Sequence, residues 1–235
     1  MPIEREVTHF EWNEFSKIDN VPDLEHYMIN KAFSHSNYYH YTRVMNIENI
    51  LNGYFKVGTV AKFNDKYDTL QFNDDVKYFY SICFSSGIDE NLSLWYLYSG
   101  MGGEGGRIKL SKSLITKIIE TSEFGLYERI SREENKLIMV LEDGKTMKKT
   151  FNDVVYFHEK GDDVSLRYNT MTNYNFTSSA FSDFKKIYNG FLKDTIWYFE
   201  KESRLLVELI GEAREKIEDD LEEIPNCLYE EHVQI

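Results

Sequence analysis

Apolar and polar positions follow two different periods along this chain. The runs Tyr38–Arg43, Tyr54–Thr59 and Val76–Ser85 are rich in aromatic and β-branched residues, which favours strands. Asn46–Leu51 and Asn91–Ser99 place apolar residues three and four positions apart, which is typical of helices with one buried face. Asn91 is the expected N-cap of the second helix. Short strands mixed with short helices predict an α+β fold and not a doubly wound α/β fold.

Near the C-terminus, Trp197–Ile210 is predicted to form one strand. Alternation with a period of two places Tyr198, Glu200, Glu202 and Arg204 on one face of that strand. Two carboxylates beside an apolar strand must be solvated, paired or used in a site. Taken alone, the segment favours a simpler interpretation, an amphipathic edge strand with a surface contact between a glutamate and Arg204, and only the motifs described below favour a site.

The two ends of the chain differ from its middle. Residues 1–37 contain two short amphipathic segments on either side of Pro22-Asp23, which predicts an N-terminal helical cap. Residues 38–211 are expected to form the main domain, and residues 212–235 an acidic C-terminal helix or tail. Carboxylates dominate residues 212–223, as is typical of a solvated or partner-facing helix.

Composition narrows the classes of function. A chain of 235 residues with 42% hydrophobic residues is long enough for one well-packed domain. Its formal net charge of -13 opposes non-specific binding to the phosphate backbone of a nucleic acid. It does not exclude a small basic groove that recognises a single nucleotide. The sequence contains no membrane-length apolar run, no signal-peptide pattern and no metal-ligand spacing of its two cysteines. We therefore expect a cytoplasmic protein without a membrane segment or a metal site.

Four motifs occur in a fixed order between residues 38 and 210. They are Tyr39-His40-Tyr41-Thr42, Phe63-Asn64-Asp65, Cys83-Phe84-Ser85 with Leu94-Trp95-Tyr96-Leu97-Tyr98 and Gly106, and Trp197-Tyr198-Phe199-Glu200-Lys201-Glu202-Ser203-Arg204. Together they resemble a widespread bacterial family of uncharacterised domains, which share a His-Tyr-Thr strand, an Asn-Asp turn, a Cys-Phe-Ser strand, a Trp-x-x-Tyr helix and a Trp-x-x-Glu-x-Glu-x-Arg strand. Asp68 and Ser203 depart from that pattern, in which a glutamate and an aromatic residue are usual.

This arrangement is in turn similar to the ADP-ribosyltransferase fold of DarT-like toxins and poly-ADP-ribose polymerases. The resemblance implies split mixed sheets with flanking helices, NAD as a substrate, and transfer of ADP-ribose to a macromolecular acceptor, either a protein or a locally read nucleic acid. It also implies a bacterial toxin or phage-defence effector that an antitoxin or chaperone restrains, for which the acidic helix at 212–223 is a candidate docking element.

The resemblance assigns catalytic roles to two glutamates. Glu202 is expected to bind the 2′-hydroxyl of the nicotinamide ribose and to stabilise an oxocarbenium-like transition state. Glu200 is expected to orient or deprotonate the acceptor. Arg204 is expected to pair with one of the two and to keep it ionised.

Binding of NAD is assigned to the first strand and the aromatic helix. By the resemblance, His40 hydrogen-bonds a ribose hydroxyl and the backbone of Tyr41 holds the nicotinamide amide, with Thr42 in the same motif. Arg43 is the nearest candidate for the pyrophosphate. The nicotinamide ring is expected to stack on Tyr98 of the aromatic helix, or alternatively on Tyr96.

Other interpretations of these residues remain open at the level of sequence. An NAD glycohydrolase would use the same site with water as the acceptor, and a non-enzymatic module would bind a nucleotide or peptide in the aromatic cleft. His40 also fits a satisfied core histidine, and Tyr98 also fits simple packing. The glycine-rich stretch 100–106 lacks the Gly-Lys-Ser/Thr ending of a phosphate-binding loop, so a flexible turn or lid is expected there.

Overall fold

The computed structural model describes residues 35–87, 90–99, 104–121, 123–129, 135–160, 163–168, 171–177, 185, 188–220 and 227–231. The predicted helical cap at 1–37 therefore lies almost entirely outside the described residues. Part of the glycine-rich stretch at 100–106 lies outside them as well.

Strands make up about half of the described chain, as its aromatic and β-branched composition favours. In chain order they are β1 (Asn37–Arg43), β2 (Phe55–Thr59), β3 (Phe79–Ser85), β4 (Gly105–Ser111), β5 (Glu123–Arg129), β6 (Asn135–Leu141), β7 (Met147–Asp153), β8 (Val155–Lys160), β9 (Asp163–Tyr168), β10 (Met171–Thr177), β11 (Leu192–Asp194), β12 (Glu202–Leu209) and β13 (Cys227–Glu231).

Helices connect and cover these strands. The α-helices are α1 (Val44–Leu51), α2 (Lys66–Leu70), α3 (Leu92–Tyr98), α4 (Lys112–Thr121) and α5 (Gly211–Asp220), and shorter 3₁₀ helices span Val60–Lys62, Asn73–Tyr78 and Thr195–Glu200. Asn91 caps α3 as the sequence predicts, since its side-chain oxygen accepts a hydrogen bond of 2.9 Å from the Ser93 amide. Within the described ranges, no helix has both the length and the apolar character needed to cross a membrane.

The central sheet forks at β3. One edge of β3 pairs with β12 along its whole length, and β7 lies beyond β12. The other edge pairs with β1 at Ser85 and with β2 at Ser81 and Tyr80, so two arms of the sheet diverge from this edge. β4 extends the first arm, and β13, β5 and β6 extend the second. The predicted α+β class is confirmed, with a mainly antiparallel sheet flanked by helices.

A second, four-stranded sheet has the order β10-β9-β8-β11. Its strand β11 runs parallel to β8, with Leu192 opposite Val155. The Val154 amide, between β7 and β8, donates a hydrogen bond of 2.8 Å to the Glu202 carbonyl. This junction brings β11 next to the start of β12, although the two strands belong to different sheets.

Alternation along β12 separates a core face from a polar face. Leu205, Val207 and Leu209 belong to the main apolar core, which also contains residues of α4 and α5. Glu202 and Arg204 point to the opposite side of the sheet, where a cavity lies. The burial of alternate apolar residues therefore fixes which way the two charged side chains point.

The predicted strand Trp197–Ile210 is wrong at its start. Thr195–Glu200 form a 3₁₀ helix, whose first turn is capped by Asp194 through a hydrogen bond of 2.9 Å from the Ile196 amide. Lys201 then adopts a left-handed conformation with φ 44°, and the strand begins only at Glu202. Aromatic residues favour a strand by composition, but the cap at Asp194 stabilises the turn in its place.

The C-terminal segment differs in part from the expected helix or tail. α5 begins at Gly211 and carries the acidic residues predicted at 212–220, while residues 221–223 lie outside the described residues. Residues 227–231 then form β13, which lies between β2 and β5 inside the main sheet. This strand belongs to the same sheet as the rest of the fold and is not an appended tail.

Candidate functional site

A cavity of about 230 Å³ lies on the polar side of β12. Its walls come from β1, the 62–65 turn, α2, β3, α3, β11, the 195–200 helix and β12, which are far apart in the chain. Five of the residues assigned to the site from sequence line it, namely His40, Tyr41, Tyr98, Glu200 and Glu202. The forked sheet therefore brings together both glutamates, the histidine and the tyrosine of the aromatic helix.

Three other predicted site residues do not line the cavity. Thr42 is buried, and its hydroxyl accepts a hydrogen bond of 2.8 Å from the Asn46 side chain. Arg43 is exposed at the position that caps α1, where the chain leaves the sheet. Tyr96 is 61% exposed, because residues two apart on a helix point in nearly opposite directions and Tyr98 takes the inward direction.

Lys193 is the central cation of the site and is not among the site residues predicted from sequence. Its ammonium nitrogen lies 2.5 Å from Glu200 Oε2 and 3.0 Å from Glu202 Oε2. The same atom lies 3.9 Å from Asp68 Oδ2. Burial alone would lower the pKa of Lys193, but the neighbouring glutamates raise it above its ordinary value, so the ammonium stays charged. Lys193 thus joins the two glutamates at a single point.

Arg204 is fully buried and pairs with two carboxylates. Its Nη1 and Nη2 lie 2.7 and 2.9 Å from the two oxygens of Asp68, which is a bidentate pair. Its Nε lies 2.5 Å from Glu202 Oε1, so of the two glutamates considered from sequence it pairs with Glu202. Across the described ranges, no three His, Cys, Asp or Glu side chains are arranged to hold a metal ion. The carboxylates here bind protein cations instead.

The two glutamates differ in their ionisation. Burial would raise the pKa of Glu202, but Arg204 and Lys193 hold it well below its ordinary value. Burial raises the pKa of Glu200 to about 7, and the negative charge of Glu202 adds to the effect. At neutral pH, Glu202 is therefore a permanent negative charge and Glu200 exchanges a proton.

Tyr98 holds the second oxygen of Glu200. Its hydroxyl donates a hydrogen bond of 2.7 Å to Glu200 Oε1, while Lys193 occupies Oε2. Burial, together with the charge of Glu200, raises the pKa of Tyr98, so the hydroxyl stays protonated and remains a donor. In this structure Tyr98 positions a carboxylate, in addition to presenting its ring at the cavity.

His40 lies where the two arms of the sheet part. Its Nδ1 is 2.9 Å from the Cys83 carbonyl on β3, and its ring centroid is 5.0 Å from that of Phe55 on β2. A carbonyl can only accept, so Nδ1 carries the hydrogen, and burial lowers the pKa of His40 and keeps the ring neutral. Nε2 is then a hydrogen-bond acceptor on a side chain that lines the cavity.

Aromatic side chains complete the walls. Trp197 lies under the Lys193 ammonium, 4.9 Å from its ring centroid to Nζ, which stabilises the buried cation. Tyr41 packs edge-on against Trp95 at 5.4 Å, and its hydroxyl accepts a hydrogen bond of 3.3 Å from the Asn91 amide. These contacts hold α3, which carries Tyr98, against β1.

Lys193 and Asp68 are the site residues that sequence reasoning missed. Lys193 follows Phe191 and Leu192 in an apolar stretch, where a lone cation is a weak signal of a buried ion pair. In the sequence, Asp68 is only a departure from the family pattern. Its bidentate contact with Arg204 joins positions that are 136 residues apart in the sequence. The periodicity of a single helix or strand cannot predict a contact between such distant positions.

Chemically, the site combines a permanent carboxylate, a carboxylate that titrates near neutral pH and a neutral imidazole acceptor around one cavity. This set can stabilise a developing positive charge and move one proton. Comparisons of the chain with protein-family models, with curated proteins and with solved structures found no match.

Proposed function

We propose that this chain is an NAD-dependent ADP-ribosyltransferase with the split-sheet fold of that enzyme class. One observation carries the proposal, namely that Glu202 and Glu200 line the same cavity in different states of ionisation, with His40 beside them. The divergence of β1 and β2 from one edge of β3 supports the fold assignment, because it is a split in the sheet at the position of His40.

Glu202 is suited to the bond-breaking step. When the bond between nicotinamide and ribose breaks, nicotinamide leaves with the electron pair and the anomeric carbon becomes positively charged. A fixed carboxylate in a buried site stabilises that charge by several kcal/mol without reorganising, since Arg204 and Lys193 already hold its position. The neutral His40 ring accepts a hydrogen bond from a ribose hydroxyl in this arrangement.

Glu200 is suited to the bond-forming step. The acceptor nucleophile attacks the anomeric carbon and loses a proton, which Glu200 takes in its ionised form. A pKa of about 7 matches this task, because the group is partly ionised at neutral pH and still basic enough to receive the proton. Tyr98 and Lys193 keep both of its oxygens in place.

NAD glycohydrolysis is the second candidate, and the same value for Glu200 favours it. A carboxylate with a pKa of about 7 can take the proton of a water molecule as readily as that of a macromolecular nucleophile. The two functions share the bond-breaking step and differ only in what enters the cavity next.

One experiment separates these functions. The purified chain is incubated with bacterial lysate and with NAD labelled in its adenylate half, and the products are treated separately with protease and with nuclease. Label released by only one of these treatments identifies a protein or nucleic-acid acceptor. Free ADP-ribose without labelled macromolecule identifies the glycohydrolase, and intact NAD rejects both.

A cellular role as a toxin or phage-defence effector in the cytoplasm, restrained by an antitoxin or a chaperone, belongs to the same proposal. Its test is growth after induced expression in bacteria. Wild-type chain should stop growth, whereas Glu202→Gln should not. The acidic helix α5 is the candidate docking element for the restraining partner.

A further inference from the structure

Asp65 has one carboxylate oxygen that is buried without a partner. Its Oδ1 accepts a hydrogen bond of 2.9 Å from the Tyr67 amide and so caps α2. Its Oδ2 is buried and has no hydrogen-bond partner within the described part of the chain. Asp65 also lines the cavity that holds Glu200 and Glu202.

A buried acceptor without a donor is costly, and native structures rarely leave one. The cap at Oδ1 fixes the rotation of the side chain, so Oδ2 cannot turn away from its surroundings without losing the Tyr67 bond. Because Asp65 lines the cavity, a molecule bound there is well placed to supply the missing donor.

The other polar groups of the cavity favour the same kind of ligand. His40 presents an acceptor, since its Nδ1 is already bonded to Cys83. Four carboxylates and three cationic side chains line the cavity, and the two buried cations already pair with carboxylates. An additional anionic group beside Asp65 and His40 would meet these acceptors, whereas both buried cations are already paired.

We propose that Asp65 is a specificity-determining residue, which accepts a hydrogen bond from the ligand and makes the cavity select a neutral or cationic, donor-bearing group over its carboxylate analogue. The inference rests on the proposed function, in which the ligand is NAD. Two groups of NAD carry this chemistry, namely the carboxamide N–H of nicotinamide and the hydroxyls of the adjoining ribose.

Asp65→Asn is the informative variant. The amide keeps the shape of the side chain and its oxygen still caps α2, since asparagine caps helices as well as aspartate does. Its NH₂ group replaces Oδ2, so an acceptor becomes a donor at one atom. Asp194→Asn is the matched control, because Asp194 caps the 195–200 helix through the same type of bond, also 2.9 Å, and does not line the cavity.

The measurement is calorimetric titration with two carbocyclic analogues, one of NAD and one of nicotinic acid adenine dinucleotide. A methylene replaces the ribose ring oxygen in both, so neither is cleaved. Wild-type chain and Asp194→Asn should bind the carboxamide more tightly than the carboxylate. Asp65→Asn should bind the carboxamide analogue about tenfold more weakly, the usual loss for a hydrogen bond to a charged group.

The affinities for the two analogues identify the group of the ligand that donates the hydrogen bond to Asp65. If Asp65→Asn weakens the carboxamide analogue and strengthens the carboxylate analogue, the donor is the nicotinamide amide. If it weakens both equally, the donor is a ribose hydroxyl, and the role of Asp65 in selecting against the carboxylate is overturned. Unchanged affinity for both overturns the inference, even if the chain cleaves NAD. If the chain binds both analogues with the expected Asp65 effect but does not cleave NAD, the inference is supported and the proposed activity is refuted. Failure of the wild type to bind either analogue overturns both.

Discussion

The Tyr98 hydroxyl lies 2.7 Å from Glu200 Oε1, and this hydrogen bond joins residues 102 positions apart. It connects α3 to the 195–200 helix across the cavity. Because the bond stabilises the ionised form of Glu200, it opposes the increase in the pKa of Glu200 that burial causes.

Replacing Tyr98 by phenylalanine should therefore raise the pKa of Glu200 above about 7. The ring remains, so packing changes little. If Glu200 acts as a base, the acidic limb of the pH–rate profile for transfer should move to higher pH. Tyr96→Phe is the control, since Tyr96 lies on the same helix and is exposed. Identical profiles for the two variants would show that the contact does not tune Glu200.

Glu202→Gln should lower the rate of NAD cleavage by about 100-fold or more, the typical effect of removing one electrostatic stabiliser from a transition state. The amide keeps the size of the side chain and loses its charge. Glu208→Gln is the matched control on β12, because Glu208 is half-buried and does not line the cavity. Turnover by Glu202→Gln at the rate of the control would refute the assigned role. Circular dichroism establishes that both variants are folded.

Glu200→Gln should lower transfer to the acceptor far more than it lowers slow hydrolysis of NAD. The physical reason is that a macromolecular nucleophile must lose a proton at a fixed position, whereas water has more ways to lose one. The measurement is the ratio of labelled acceptor to free ADP-ribose. Equal losses of both activities would mean that Glu200 supports the NAD site itself.

Glu200 should also make the unfolding free energy depend on pH. Its pKa rises from an ordinary value of 4.5 to about 7 on folding, so the folded state binds the proton more tightly than the unfolded state does. The contribution of Glu200 to stability is thus complete below pH 4.5 and is lost as the pH rises to about 7, which amounts to about 3 kcal/mol.

Urea denaturation between pH 4.5 and pH 7 measures this dependence. Glu200→Gln should flatten it, because the amide does not titrate, while Glu208→Gln should retain the slope of the wild type. A Glu200→Gln variant with an unchanged slope would assign the pH dependence to another group.

Removing Lys193 should destabilise the fold by about 3–5 kcal/mol, because the loss of one partner leaves buried carboxylates without compensation. Lys193→Met keeps the length and the apolar part of the side chain. Lys148→Met is the control, since Lys148 is an exposed residue of β7, and it should change the unfolding free energy by about 0.5 kcal/mol or less. The measurement is chemical denaturation at pH 7. A similar small change in both variants would mean that the cluster contributes little to stability.

Much of the fold followed from local pattern. The aromatic runs predicted β1, β2 and β3 near their observed bounds, and the spacing of apolar residues predicted α1 and α3 with the Asn91 cap. These elements depend on side-chain periodicity and on capping within a few residues, so the sequence contains the information locally.

The conformation of the segment before β12 could not be predicted from the local pattern of apolar and polar residues. Residues 195–200 have a strand-like composition, but the Asp194 cap and the left-handed Lys201 place Glu200 at the end of a 3₁₀ helix. Glu200 and Glu202 still meet at Lys193, although the alternation that predicted their shared face does not apply to Glu200.

Which residues come together in the site was decided by the tertiary structure. The sequence by itself determined that Glu200, Glu202, His40 and Tyr98 were candidates, because each belongs to a recognisable motif. Only the folded chain paired Arg204 with Asp68, placed Lys193 between the glutamates and left Arg43 outside the cavity. Buried charges find their partners through space and not along the chain, since the free energy of an ion pair depends on distance and burial, which a linear pattern does not encode.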